Sequence, residues 1–435
     1  RGPVEPGPGE ALWKGEACAG AIVDALGPKA EHCVDAAARR ASALRLLSDA
    51  ARASAFDGPT REKINGTGAK YGLASLALCE RLCKQLSATL RNARNFAVLA
   101  APDAERAGEG ARRGAQVGSL SNLSAPPDLS AAGLGFWCLR PAVAFRPVSD
   151  AALAVVLTSG TLSPTDSLEG ELGAPFPVKV EAPHVVPARQ IHVEATDALG
   201  DFTAKSQASE RCVKTLGALL VRAARHTPGG MLVFLPKYSL VTTYFEEWAR
   251  AGTLAELEKH KDVVLHEEPG AKTLGPTLES FRRAVRGGRG AVLVAVYRGK
   301  VSEGLDFKDD HCRAVFCVGI PFPSLGDVKV RLKREYNSTR ARAREEGIIP
   351  GGDWYNHQAF RAYNQALGRC VRHQHDYAAI YLVDARFCQH ADAGKNRGMV
   401  SKWMRNHVRF FQSKTESIGT AREFFESLAA NPPGG

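Results

Sequence analysis

The chain has 435 residues, of which 44% are hydrophobic and 24% charged, an ordinary balance for a globular protein of two or three domains that excludes wholesale disorder. Its 57 Lys and Arg against 46 Asp and Glu leave a formal charge of +11, which favours an anionic partner such as nucleic acid. No apolar run reaches the roughly 18 residues of a membrane span and no leader pattern is present, so a soluble, intracellular chain without a membrane partner is expected. The 10 cysteines form no C-x-x-C pair and several, such as Cys138, Cys317 and Cys370, sit in apolar runs, so reduced thiols are expected. Cys79 and Cys83, four apart on a helical pattern, read as buried small residues before they read as a metal pair.

Residues 1–12 are rich in Pro and Gly and read as a loop. From Leu12 to about Arg113 the pattern is helical throughout, as in Cys33 to Ala51 and Tyr71 to Leu99, and no strand is expected there. Gly66-Thr67-Gly68-Ala69-Lys70 lacks the spacing of a phosphate loop and reads as an ordinary loop. After a Ser/Pro/Gly linker over Ser119 to Gly135, short apolar runs begin at Phe136 to Phe145 and Ala151 to Thr158, and a strand is expected at Ala152 to Leu157. Strand candidates then alternate with helix candidates. The order is strand Met231 to Leu235, helix Tyr238 to Arg250, strand Val263 to His266, helix Leu274 to Arg286, then strands Ala291 to Val296 and Arg313 to Val318. A helix and a buried strand follow within Tyr363 to Phe387, with Gln365, Gly368, Arg369 and Arg372 expected on one helix face and the strand from Tyr377. This alternation predicts an α/β fold, a parallel sheet with helices on both faces, whose chemistry lies beyond the carboxyl ends of the strands.

Four stretches after these strands carry chemistry. Tyr297 to Phe307 holds Gly299 and Gly304, which admit a ligand closely, and Glu303 and Asp306, which can accept from a ribose hydroxyl or order a metal-bound water. Ser159, Gly160 and Thr161 form a hydroxyl-rich turn. Lys237, Tyr238 and Ser239 offer a cation and an aromatic ring to a nucleic-acid backbone and base. Arg369 and Arg372 offer forked, permanently charged donors to a polyphosphate, with a solvated basic helix face as the alternative. Lys329 to Arg344 carries seven basic residues and fits either a phosphate-tracking groove or a solvated helix face. His373 and His375 are expected to cap a helix carboxyl end.

Taken in order, VLTSGTLSP, GGMLVFLPKYS, VAVYRGKVSEGLDF and QALGRCVRH resemble motifs III, IV, V and VI of superfamily 2 DNA helicases in the XPD-like, iron-sulfur branch. GFWCLRPAVAF, GIPFPSLGDVKV and PGGDWYNHQAFRAYNQALGRCVRH carry the likeness further, which is strong from about Gly135 to Gln412. The resemblance implies two RecA-like motor domains that hold one ATP with Mg²⁺ between them, move 5′ to 3′ on single-stranded DNA and open duplex junctions, in nuclear genome maintenance. It assigns Arg369 and Arg372 to the γ-phosphate. Gln365, Gly368, Gly299, Glu303, Gly304 and Asp306 fall to the nucleotide, Ser159, Gly160 and Thr161 to coupling, and Lys237, Tyr238 and Ser239 to DNA.

The chain departs from the family where it lacks G-K-[ST] and D-E-A-H, the motifs that carry the phosphate cradle, the Mg²⁺ ligand and the group that orients water. A C-terminal part is therefore expected, whose partner is a first motor domain bearing those motifs. The family's 4Fe-4S cluster is expected to find no ligand among these cysteines. The expected division is a helical arch-like insertion over 1–134, the end of the first motor domain over 135–180, the second motor domain over 181–415 and a tail over 416–435. A nucleic-acid-binding module without catalysis is the alternative. A dinucleotide enzyme would need G-x-G-x-x-G after the first strand, which is absent.

Overall fold

The computed structural model describes residues 11–14, 19, 23–24, 29–52, 73–102, 132–160, 162, 164–165, 167–182, 184–270, 273–345, 347–388, 391–405, 407–411 and 414–433. The loop at 66–70 and Thr161 lie outside them, as does the side chain of Cys79. Contacts divide the chain into two units, one of residues 1–155, 168–175 and 325–351, the other of 156–167, 176–324 and 352–435. The expected boundaries were continuous in sequence, whereas 325–351 leaves the span 181–415 and groups with the first unit.

In the first unit, helices Ala30–Arg52 and Leu73–Arg91 pair. Arg91 bridges to Glu31 at 2.5 Å and to Asp35, and the Ser87 hydroxyl donates to Asp35 at 2.6 Å. The expectation of helix alone fails here. Strands β1 (Ala11–Lys14), β2 (Phe96–Pro102) and β3 (Ala132–Cys138) form an antiparallel sheet in that order. FAVLAAP is an apolar run that continues a helical pattern in sequence, and pairing with β3, more than thirty residues on, decides it as a strand.

Helix Val328–Arg342 carries the basic run, and much of that charge is engaged within its unit. Leu332 and Tyr336 pack on Ala97 and Leu139, Lys333 donates to the Leu139 carbonyl at 2.6 Å, and Lys329 lies over the Trp137 ring. Burial lowers the Lys333 pKa from its ordinary value. These groups contribute less to a free phosphate-tracking groove than their number suggests.

The second unit is built on seven parallel strands: β4 (Ile191–Thr196), β5 (Met231–Leu235), β6 (Val263–His266), β7 (Ala291–Val296), β8 (Ala314–Val318), β9 (Ala378–Val383) and β10 (Val408–Phe411). They lie side by side as β10-β4-β9-β8-β5-β7-β6. Because strand side chains alternate, Leu232 and Phe234 enter one core with Phe281, Phe360 and Tyr363. Met231, Val233 and Leu235 enter the other with Leu216, Leu220, Tyr244 and Trp248. Helices cover both faces, Leu274–Arg286 and Gly351–Leu367 on the first, Glu210–Ala224 and Tyr238–Arg250 on the second. This is the expected parallel α/β architecture.

Two expected elements differ. Residues 152–160 are irregular rather than a strand, and Leu153 and Val156 are almost wholly exposed. A strand needs a neighbour for its backbone groups, and among the described residues none pairs with this segment. The helix expected to carry Arg369 and Arg372 ends at Leu367. Gly368 interrupts it, the Arg369 amide tightens onto the Ala366 carbonyl, and the buried Asp376 carboxylate takes the Arg372 amide at 3.1 Å.

Candidate functional site

Two groups of side chains in the second unit gather the candidates. The first lies at the carboxyl ends of the adjacent strands β5, β7 and β6. Lys237, two residues beyond β5, precedes the helix Tyr238–Arg250; Lys237 and Ser239 are exposed and Tyr238 is half-buried. Beyond β6 comes Glu267, buried at 3% exposure, a residue that the motif reading passed over. Its carboxylate accepts from the Tyr238 hydroxyl at 3.2 Å, the Val296 amide at 3.0 Å, the Lys300 amide at 2.9 Å and the Val301 amide at 3.5 Å. Burial, then the charge and hydrogen bond of Glu267, raise the Tyr238 pKa, so its hydroxyl stays protonated as the donor.

Gly299 is required here, because a Cβ would sit 2.6 Å from one carboxylate oxygen of Glu267. The next residues form the short helix Lys300–Gly304, in which Glu303 and Gly304 are exposed. Arg298 adopts φ 62°, a left-handed value uncommon outside glycine, and donates to the carbonyls of Pro321 at 2.9 Å and Gln358 at 2.8 Å. It fixes the turn after β7 and is occupied in doing so.

The second group forms where the chain runs from Gly304 back toward the start of β8. Arg369 donates to the Leu305 carbonyl at 2.8 Å and to the Gln365 carbonyl at 3.3 Å, and Arg372 pairs with Asp306 at 3.0 Å. Motifs V and VI, more than sixty residues apart, thus meet. Burial and the nearby Arg372 charge lower the Arg369 pKa, against the opposing pull of Asp306 and Glu303. Gln365 and Gly368 flank this group as half-buried residues. Beneath it, Asp376 is fully buried and takes Arg313 at 2.7 Å; Asp376 lies two residues before β9 and Arg313 directly before β8. The arginines therefore lie by the amino ends of β8 and β9, which corrects the expectation that all the chemistry follows the carboxyl ends. The signal that could have shown this is Asp376 itself, an acid just before a buried strand.

Ser159 and Gly160 are exposed on the irregular segment. Ser167, farther along, anchors that segment to helix Gly351–Leu367 through His357 at 3.2 Å and Arg361 at 3.0 Å. His373 does not cap the helix, since it lies six residues past its end and contacts Asp309 at 2.7 Å.

Two guanidinium groups and exposed backbone beside Gly304 suit the phosphates of a nucleotide. Among the described residues the one trio of potential metal ligands is Asp309, His373 and Asp376, which contains no thiol and whose buried carboxylate is already engaged by Arg313. No helix among the described residues is long and apolar enough to cross a membrane.

Residues 220–407 match the family described as helicase C-terminal domain. The chain is 42% identical over 306 residues to the Fanconi anemia group J protein homolog of Gallus gallus, covering 68% of this chain and 24% of that protein. It is 38% identical over 298 residues to the regulator of telomere elongation helicase 1 homolog of Drosophila mojavensis, covering 67% and 29%. Among solved structures, an XPD helicase aligns over 85% of this chain and 55% of its own with 15% identity and a TM-score of 0.45. The chain spans about a quarter of the length of the curated relatives it matches. Through residues 220–407 the chain belongs to the XPD-like family of superfamily 2 helicases, of which it carries the C-terminal helicase domain.

Proposed function

We propose that this chain is the C-terminal part of an ATP-dependent DNA helicase that couples ATP hydrolysis to 5′ to 3′ movement on single-stranded DNA and to opening of duplex junctions, in nuclear DNA repair. The observation that carries the reading is the meeting of Arg369 and Arg372 with Leu305 and Asp306. Arg372 is only partly exposed and its partner Asp306 lies open to solvent, so an incoming phosphate can replace that carboxylate at little cost. Arg369 and Arg372 then neutralise charge that develops on the γ-phosphoryl group, with Gln365, Gly368, Gly299, Glu303, Gly304 and Asp306 around the nucleotide. Lys237, Tyr238 and Ser239 take the DNA strand, and Ser159, Gly160 and Thr161 link the two events. Mg²⁺ and the remaining phosphate ligands belong to a first motor domain, since G-K-[ST] and D-E-A-H are absent from these residues. The same absence favours the second reading, a nucleic-acid-binding module without catalysis.

Two measurements on this chain test the proposal. Labelled single-stranded oligonucleotide titrated at several salt concentrations should bind weakly, with affinity falling steeply as salt rises and falling further in Lys237→Ala. ATP hydrolysis should stay at background with or without DNA. Turnover abolished by Arg372→Ala would mean the phosphate cradle lies within these residues, and absence of any salt-dependent binding would remove DNA from the reading.

A further inference from the structure

Glu267 is a carboxylate with 3% exposure whose four bonds all come from neutral donors, three of them backbone amides. Such a group holds its surroundings tightly, because losing it would strand several buried donors at once. Its donors come from two segments with different proposed ligands. Tyr238 belongs to the turn that faces DNA, and Val296, Lys300 and Val301 belong to the stretch that faces the nucleotide. Gly299 completes the fit by letting the carboxylate approach the backbone closely.

From Lys300 the contacts continue. The five-residue helix Lys300–Gly304 leads directly to Leu305 and Asp306, whose carbonyl and carboxylate hold Arg369 and Arg372. At 1.5 Å per residue that helix is about 7 Å long, short enough to move as one piece. An unbroken series of contacts therefore runs from the Tyr238 hydroxyl through Glu267 to both arginines, and all of it lies in one unit.

We propose that Glu267 is a positioning residue that couples the strand-binding turn at Tyr238 to the arginines at 369 and 372, by holding the start of the Lys300–Gly304 helix. The inference rests on the helicase reading above and adds to it a residue outside its motifs. Displacement of the Tyr238 ring by a stacked base shifts the carboxylate, and the short helix carries that shift to Leu305 and Asp306. Spatial continuity alone does not establish coupling; a change at one end that depends on the middle residue does.

Hydrogen exchange with mass spectrometry, on the 435-residue chain with and without saturating oligothymidylate, supplies that test. In the unaltered chain the oligonucleotide should slow exchange at 237–241, at 299–306 and at 366–373, by at least about fivefold in the last two segments. Glu267→Gln keeps the shape but places an amide donor against backbone donors. Tyr238→Phe removes only the hydroxyl and leaves the carboxylate and its three amides in place, so it stays informative if the first variant is poorly folded. In Glu267→Gln the oligonucleotide should still protect 237–241, and in both variants, each saturated with oligonucleotide whatever its affinity, the effect at 299–306 and 366–373 should drop below about twofold. A purely structural role for Glu267 would change the rates without DNA and leave the ratio intact. Persistence of the ratio in both variants, or its absence in the unaltered chain that binds oligonucleotide, overturns the inference and leaves the helicase reading standing. Failure of the unaltered chain to bind at all overturns both.

Discussion

The two groups of candidate residues are built on opposite electrostatic plans. At the carboxyl ends of β5, β7 and β6 a single buried carboxylate is satisfied by neutral donors, three of them backbone amides. By the amino ends of β8 and β9 the buried carboxylate Asp376 is paired with Arg313, and above it Arg372 and Asp306 form a pair with side-chain exposures of 31% and 61%. The first plan suits a fixed support. The second suits a site that must release one anion to accept another, because an exposed pair has little to lose. The difference shows that charge alone does not mark a site; the exchangeability of its partners does.

The sharpest way to break this comparison is kinetic. In a polypeptide joining this chain to a first motor domain, Arg372→Ala should lower kcat by roughly 10³ to 10⁵, or about 4 to 7 kcal/mol, while KM for ATP changes far less. Arg372→Lys should recover little, since a point charge lacks the planar two-pronged contact. Near-full kcat in Arg372→Ala would return the arginines to the status of a solvated ion pair. Lys237→Ala in the same protein should weaken DNA binding and leave KM for ATP unchanged.

The amino-end region also contains a buried cation, Lys261, whose amine donates to the carbonyls of Thr227 at 2.6 Å and Gly229 at 2.8 Å just ahead of β5. Burial pulls its pKa down to about 8. The folded state therefore sheds this proton before the unfolded chain does, so stability rises as pH increases from about 8 toward 10.5, by about 2 to 3 kcal/mol. Below pH 8 the penalty is present in full. Urea unfolding across that range should show the rise in the natural chain relative to Lys261→Met, and parallel pH profiles would contradict it.

Gly299→Ala tests the fixed support. The added Cβ would meet Glu267 at 2.6 Å and the Val296 carbonyl at 2.8 Å, neither at the end of a free side chain, so a loss of about 2 kcal/mol is expected in urea unfolding. A loss below about 0.5 kcal/mol would show that the support yields. Asp306→Asn should have the smallest effect, within about 0.5 kcal/mol of the natural chain, as expected for an exposed pair. A larger loss would make the second group structural as well.

The residues themselves determined a good deal of this protein. Met231–Leu235, Val263–His266 and Ala291–Val296 are short apolar runs bounded by breakers, and helices Tyr238–Arg250 and Leu274–Arg286 have clear spacing, so each is read at its observed bounds. The order of four motifs carried the family. Strand β4 was hidden because His192 and Glu194 interrupt its apolar run; buried against each other at 2.8 Å, they satisfy each other inside the sheet. The segment at 152–160 misled in the opposite way, apolar enough for a strand but without a neighbour among the described residues to pair with.

What only the tertiary structure decided are the partners. Periodicity is a local property of the chain, whereas Tyr238, Glu267 and Lys300 are separated by 29 and 33 residues and meet because parallel crossovers return β5, β6 and β7 to one end of the sheet. Arg372 is legible as a cation for phosphate from its motif. That it leaves the helix, reaches Asp306 and stands by the amino ends of the strands follows from the buried Asp376, which captures its amide four residues away and is itself held by Arg313 from just before another strand.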